Sequence, residues 1–185
     1  MGERSGEPRG GRVTVARELR QGYSTGTCAA AAAKAAAACL RGAAPTEVEV
    51  LLPDGDRVTL PVGVCEAVCP GHARAAVVKD AGDDPDVTDG MTIWADVELF
   101  DRPDGGAAPE EKEPNGGRRP VDIRGGEGVG IVTRAGLQLP VGEPAVNPVP
   151  RQMIEDAVTE ELAELPCRVT VSVPGGREAA ARTFN

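Results

Sequence analysis

The sequence predicts an α+β fold, one mostly antiparallel sheet with an alanine-rich helix and a second helix packed on one face. Three observations carry that prediction. Nine alanines crowd the stretch Thr25–Leu40, interrupted only by Lys34 within the run. Between Thr46 and Phe100, short segments of alternating polar and apolar residues are separated by turns rich in Gly, Pro and Asp. Finally, Met153, Ile154, Ala157, Val158 and Leu162 recur at helical spacing.

Residues 1–18 open the chain as a disordered tail, rich in Gly, Arg and Glu, and the domain is expected to fill 19–185. Tyr23-Ser24-Thr25-Gly26-Thr27-Cys28 is a hydroxyl-rich turn entering the first helix, and Ser24, Thr25 or Thr27 can each cap its start. Alanine has the best helix propensity, yet each alanine buries only about 0.8 kcal/mol of methyl group. A helix without bulk implies that another backbone, or a flat ligand, approaches it closely. Its start, with free N–H groups and the positive end of the dipole, is also suited to an anion. Gly42 then fits a left-handed cap.

Thr46 to Leu52 reads as a strand, Pro53-Asp54-Gly55-Asp56 as a tight turn, and Arg57 to Val62 as the returning strand. Val64 to Val68, Ala73 to Lys79 and Met91 to Phe100 continue what reads as an antiparallel meander. Asp101 to Arg119, with Pro, Gly and Glu and no periodicity, is expected to be a mobile insertion. Val121 to Arg124 is a short strand leading into Gly125–Gly130 and Ile131–Thr133. A proline-rich extended stretch follows, then a helix over Val149 to Leu162 with Pro150 at its start. Cys167 to Val173 is a strand, and Arg177 to Arg182 begins another helix.

Composition excludes several classes. A net charge of −9 and one Trp, one Tyr and two Phe argue against nucleic acid and anionic membranes. No apolar run reaches spanning length, so a cytoplasmic location is expected. Cys28, Cys39, Cys65, Cys69 and Cys167 make no zinc pattern and read as reduced, small hydrophobes. One histidine, His72, set in a turn, rules out a Ser-His-Asp or Cys-His centre.

Three stretches can carry chemistry. Five aspartates lie between Asp80 and Asp89. Crowded like charges raise a carboxyl pKa, which would suit a general acid or base; a solvated turn loop is the plainer reading, and the order of ligands is not that of an EF-hand. Gly125–Gly130 is either a strand kink or a cradle for a ligand, and it matches neither the dinucleotide fingerprint nor a P-loop. Arg124, Arg134 and Arg151 flank it as solvated surface residues or as a fork for carboxylates.

Four motifs together resemble one family. Gly22-Tyr23-Ser24-Thr25-Gly26-Thr27-Cys28-Ala29-Ala30 is similar to its opening signature, and Val77 to Thr88 (VVKDAGDDPDVT) to its second. Gly125–Gly130 with Thr133-Arg134 is similar to the third, and Pro140 to Pro150 (PVGEPAVNPVP) to the fourth. The family is the cobalt-precorrin-5B C1-methyltransferases of the anaerobic cobalamin pathway, and the resemblance runs from Leu19 to Asn185. The insertion at 101–119 is the main departure. The resemblance implies methylation of ring carbon C1 on a cobalt-bound tetrapyrrole, with S-adenosylmethionine as donor and cobalt present only as part of the substrate. It also implies a second α/β domain, missing from this chain and expected to carry most of the methyl-donor site, without which the chain is expected to be inactive.

On that footing Asp80, Asp83, Asp84 and Asp86 are the expected catalytic residues. Ser24, Thr25, Gly26, Thr27, Lys79, Arg124, Gly125, Gly126, Glu127, Gly128 and Arg134 are the expected substrate-binding residues, and no metal ligand is expected. The expected partners are the cobalt tetrapyrrole, the C-terminal domain and, as a further option, a second copy of the chain. The competing reading is a non-catalytic domain that holds the tetrapyrrole or contacts another subunit. The mechanism requires a flat, acid-fringed guest against the methyl-coated helix, with the aspartate and glycine turns closing around it. Those three segments must therefore share one hollow.

Overall fold

The computed structural model describes residues 20–100, 121–133, 140–163 and 165–182. The expected tail, the insertion at 101–119 and Arg134 lie outside the described residues. Helix α1 spans Thr25–Leu40. Ser24 is the residue that caps it: its Oγ accepts a hydrogen bond from the Thr27 N–H at 3.0 Å. At the other end Gly42 takes φ +85°. There the Gly42 N–H donates to the Cys39 carbonyl at 2.9 Å and the Ala43 N–H to that of Ala38 at 3.1 Å, the paired closure that a left-handed residue permits.

The meander divides in two. Strands β1 (Glu47–Leu51) and β2 (Arg57–Pro61) form their own hairpin sheet. The remaining strands are β3 (Val64–Cys69), β4 (His72–Val78), β5 (Thr92–Leu99), β6 (Val121–Gly125) and β7 (Cys167–Ser172). They form a five-stranded sheet in the order β3-β4-β5-β7-β6. All its pairs are antiparallel except β6 with β7. Helix α2 (Pro148–Leu162) lies between those two in the chain, and a crossover helix is what allows parallel pairing. Its first helical residue is Pro148 rather than Pro150, following Asn147. The short helix α3 (Gly176–Arg182) comes last.

Helix α1 packs against β3, β4 and β5 on one side and against β1 and α2 on others. Ala30 to Ala33 and Ala35 to Ala37 are fully buried. Small side chains let these backbones come close, and the many contacts of that packing stand in for the area a leucine face would bury. Lys34 interrupts the run for a visible reason. Its ammonium pairs with Glu160 of α2 and donates to the Glu49 carbonyl of β1 at 2.7 Å. Arg57 of β2 reaches Glu49 at 3.1 Å and Glu160 at 3.2 Å, so one charged knot ties four elements.

The buried positions of β5 and β7 alternate strictly, as expected of a sheet with helices on one face. The intervening residues build ion pairs on the other face. Asp96 accepts from His72 and Arg74, each at 2.9 Å, and Arg74 stacks over Trp94. Asp122 pairs with Arg124 at 2.8 Å and with Arg168 at 2.9 Å.

Candidate functional site

The segment before α1 is stitched to the acidic loop. Gln21 bridges Gly82 in antiparallel fashion, and the Tyr23 N–H donates to the Asp80 carbonyl at 2.7 Å. The approach needs glycine on both sides: a Cβ at Gly22 would sit 1.9 Å from the Ala81 carbonyl carbon, and one at Gly82 2.2 Å from the Arg20 oxygen. Arg20 grips the Asp80 carboxylate through two bonds of 2.6 and 2.8 Å, and its N–H donates to Asp83 at 2.9 Å. The loop's carboxylates are therefore largely structural at this end.

Lys79 extends the inward alternation of β4 by one step beyond Val77 and is 2% exposed. A buried ammonium is costly unless it is paired and hydrogen-bonded. Asp86 and Thr88 meet that need: Lys79 Nζ pairs with Asp86 Oδ2 and donates to Thr88 Oγ1 at 2.7 Å. Thr88 in turn gives its N–H (2.8 Å) and hydroxyl (2.6 Å) to Asp86 Oδ1. Its hydroxyl lies 3.3 Å from that of Thr25 at the start of α1.

These contacts set the charge states. The Lys79 ammonium, then the Thr88 hydroxyl and amide, hold the Asp86 carboxyl down at about 2. Asp80 is also held below the usual carboxylate range, first by the Gly82 N–H and then by Arg20. The raised carboxyl expected from crowded aspartates is thus corrected at both positions, because hydrogen-bond donors outweigh mutual repulsion there. Burial pushes the Cys28 thiol up to about 11, so it is neutral and no nucleophile.

The start of α1, the acidic loop and the glycine loop enclose one hollow of about 480 Å³. Ser24, Thr25, Gly26 and Ala29 border it from α1, and Asp86 and Thr88 from the acidic loop. Gly128, Val129 and Gly130 border it from the glycine loop, while Ala145, Val146 and Asn147 enter from the proline-rich segment ahead of α2. Val171 and Val173 supply its back wall. The glycine loop is fixed to that wall: the Gly126 N–H donates to the Val171 carbonyl and the Val173 N–H to that of Glu127, both at 2.7 Å. Gly128, at φ +74°, leaves only 1.8 Å between a would-be Cβ and the Val173 oxygen. Gly125 and Gly126 are likewise held to glycine by Val129 and Ser172. The loop is a packed kink whose far end borders a cavity.

Of the expected residues, Ser24, Thr25, Gly26, Asp86 and Gly128 border the hollow. Thr27 is buried, its hydroxyl 2.8 Å from that of Ser24, and Lys79 stands behind Asp86. Asp80, Asp83, Asp84, Gly125, Gly126 and Glu127 stand outside the lining, with Asp83 and Asp84 exposed. Arg124 alternates with buried Ile123 onto the opposite face of β6, where Asp122 holds it. Arg151 donates to the Val146 carbonyl at 3.0 Å and pairs with Glu143 at 3.2 Å. Among the described residues, then, no fork of arginines faces the hollow. The methyl-coated surface of α1 is not open to a guest either, since the sheet, the hairpin and α2 cover it and only Ala29 reaches the cavity. Among the described residues no three His, Cys, Asp or Glu side chains are placed to hold a metal ion.

Sequence reasoning gave no site role to Thr88, Val129, Gly130 or Ala145–Asn147. The signal was available, because each lies inside one of the four motifs.

The CbiD family matches residues 12–185. The chain is 46% identical over 173 residues to a cobalt-precorrin-5B C(1)-methyltransferase of Moorella thermoacetica, covering 92% of this chain and 42% of that protein. It is 48% identical over 168 residues to the enzyme of that name from Syntrophotalea carbinolica, covering 90% and 43%. In three dimensions it resembles the 1.9 Å crystal structure of a cobalamin biosynthesis protein (cbiD) from Archaeoglobus fulgidus. There the TM-score is 0.57 at 31% identity, over 90% of this chain and 48% of that one. The chain thus spans less than half the length of these relatives. With a match running from residue 12 to residue 185 and relatives nearly half identical along it, the chain belongs to the CbiD family.

Proposed function

We propose that the protein methylates ring carbon C1 of cobalt-precorrin-5B in cobalamin biosynthesis, as the names of its relatives suggest, and that S-adenosylmethionine is the donor. One observation carries the reading: all four motifs, far apart in sequence, contribute residues to the same hollow. In such a reaction the sulfonium S–C bond breaks, both electrons stay on sulfur, and an electron pair at C1 makes the new C–C bond. Catalysis of that kind is largely positioning. Asp86, Thr88 and Thr25, locked by Lys79, are the groups best placed to position reactants. Cobalt is part of the substrate, and Asp80, Asp83 and Asp84 act by shaping the loop.

The test is methyl transfer from S-adenosylmethionine to cobalt-precorrin-5B by the chain joined to the second domain that its family resemblance implies. Gly130 borders the hollow, and a Cβ there would meet only Ala145 Cβ, at an ordinary 3.6 Å, so Gly130→Leu can occupy space without displacing backbone. We expect turnover to fall by about tenfold or more, the cost of misplacing a reactant, with the melting temperature unchanged. Undiminished turnover would separate the hollow from the reaction.

A further inference from the structure

The proposed reaction brings two ligands together, and the hollow matches one of them better. Its volume of about 480 Å³ lies in the range that encloses a molecule of ordinary drug size. A cobalt macrocycle fringed with carboxylates is larger, and its rim calls for cations. Among the described lining residues Asp86 is the one ionisable side chain. Lys79 is turned toward Asp86 and Thr88, and Arg124 and Arg151 are engaged by Asp122 and Glu143.

The wall offers oxygen instead. The Thr25 and Thr88 hydroxyls and the Asp86 carboxylate form one patch, tied together by the 3.3 Å contact between Thr25 and Thr88 and the 2.6 Å bond from Thr88 to Asp86, and Ser24 also belongs to the lining. Lys79 lies behind with its side chain 1% exposed, while that of Asp86 is 34% exposed. The ion pair therefore turns its negative end to the cavity. A sulfonium has no N–H to donate. Its polarised methyl hydrogens are met by oxygen acceptors through C–H···O contacts, and its charge by a nearby carboxylate. The lining also includes Val129, Val146, Ile154 and Val171, apolar surface suited to a flat heteroaromatic base.

We propose that this hollow seats the sulfonium methyl donor, its S-methyl end at the Thr25, Thr88 and Asp86 patch, and that the macrocycle lies across the mouth. Lys79 is then a positioning residue, holding Asp86 and Thr88 in the wall. The assignment rests on the methyltransferase reading, and its test is binding, not turnover.

Titration calorimetry with S-adenosylmethionine and with its neutral thioether product, S-adenosylhomocysteine, reads the patch directly. The protein should prefer the sulfonium by about tenfold, a modest value for one partly screened charge pair. Asp86→Asn should bring that preference close to one while keeping the thioether's affinity, and Gly130→Leu should abolish binding of both ligands. Circular dichroism on each variant establishes that it is folded. Failure of the protein to bind either ligand, equal affinity for the two, or folded variants that bind as the parent does would each overturn the assignment. Methyl transfer to cobalt-precorrin-5B, measured alongside, separates the two claims. Turnover with donor affinity insensitive to both variants sinks the seat and leaves the methyltransferase reading standing. Donor binding as expected without any methyl transfer, even with the second domain that the family resemblance implies supplied, does the reverse.

Discussion

Lys79 carries a charge into the interior because β4 keeps its alternation for one residue past Val77, and Asp86 and Thr88 meet it there. The pH behaviour follows from the direction of the shift. Asp86 is held at about 2 in the folded protein against 3.8 for the free side chain. Its contribution is therefore complete above about pH 4 and disappears as the pH falls toward 2. After allowing for solvent screening of a partly exposed group, it is on the order of 1 kcal/mol. Urea unfolding of the parent and of Asp86→Asn across that window should show the parent losing more stability than the variant; parallel curves would mean that the pair adds nothing. Ser24 could be narrowed to one of three candidate caps, with Thr25 and Thr27, because capping is local chemistry. Arg124 could not be disqualified as a ligand so simply. Its partner Asp122 is two residues away, and the pair forms only because a strand puts alternate residues on one face.

At the scale of elements, α1 was legible to the residue, since a run of alanines with a hydroxyl before it and Arg-Gly after it has few other readings. The parallel pairing of β6 with β7 was not, because it depends on the path α2 takes and no local pattern encodes that path. Nor did the hairpin's separation from the main sheet leave a mark in the alternation. The packing of α1 against α2 gives a sharp contrast between two glycines. A Cβ at Gly26 would lie 2.8 Å from Pro150 Cγ, whereas one at Gly130 meets only the ordinary contact with Ala145. Gly26→Ala should cost about 1–3 kcal/mol through overpacking, while Gly130→Ala should leave the denaturation midpoint in place. Equal midpoints for the two variants would show that the helix starts can part without cost.

For the whole molecule, the clearest readout is the set of free thiols. Cys28 and Cys167 are fully buried, and burial pushes both up to about 11. Cys69 is exposed. A soluble disulfide reagent followed by mass spectrometry should therefore mark Cys69 in the native protein and reach Cys28 and Cys167 only on unfolding. Native labelling of Cys167 as fast as Cys69 would mean that the sheet opens readily. The overall class and the order of elements were readable from periodicity, and the meeting of the helix, the aspartate turn and the glycine turn at one hollow was expected; the share taken by the proline-rich segment was not. Which side chains face that cavity was not, because it depends on how the sheet and the helix starts converge.

The position of β7, between β5 and β6, also orders events during synthesis. Strand β6 leaves the ribosome before β7, its one neighbour among the described strands, exists, and it must wait through α2 until Cys167–Ser172 emerges. Because Val171 and Val173 line the hollow, that chamber takes shape only once β7 has been made, long after the alanine helix that borders it.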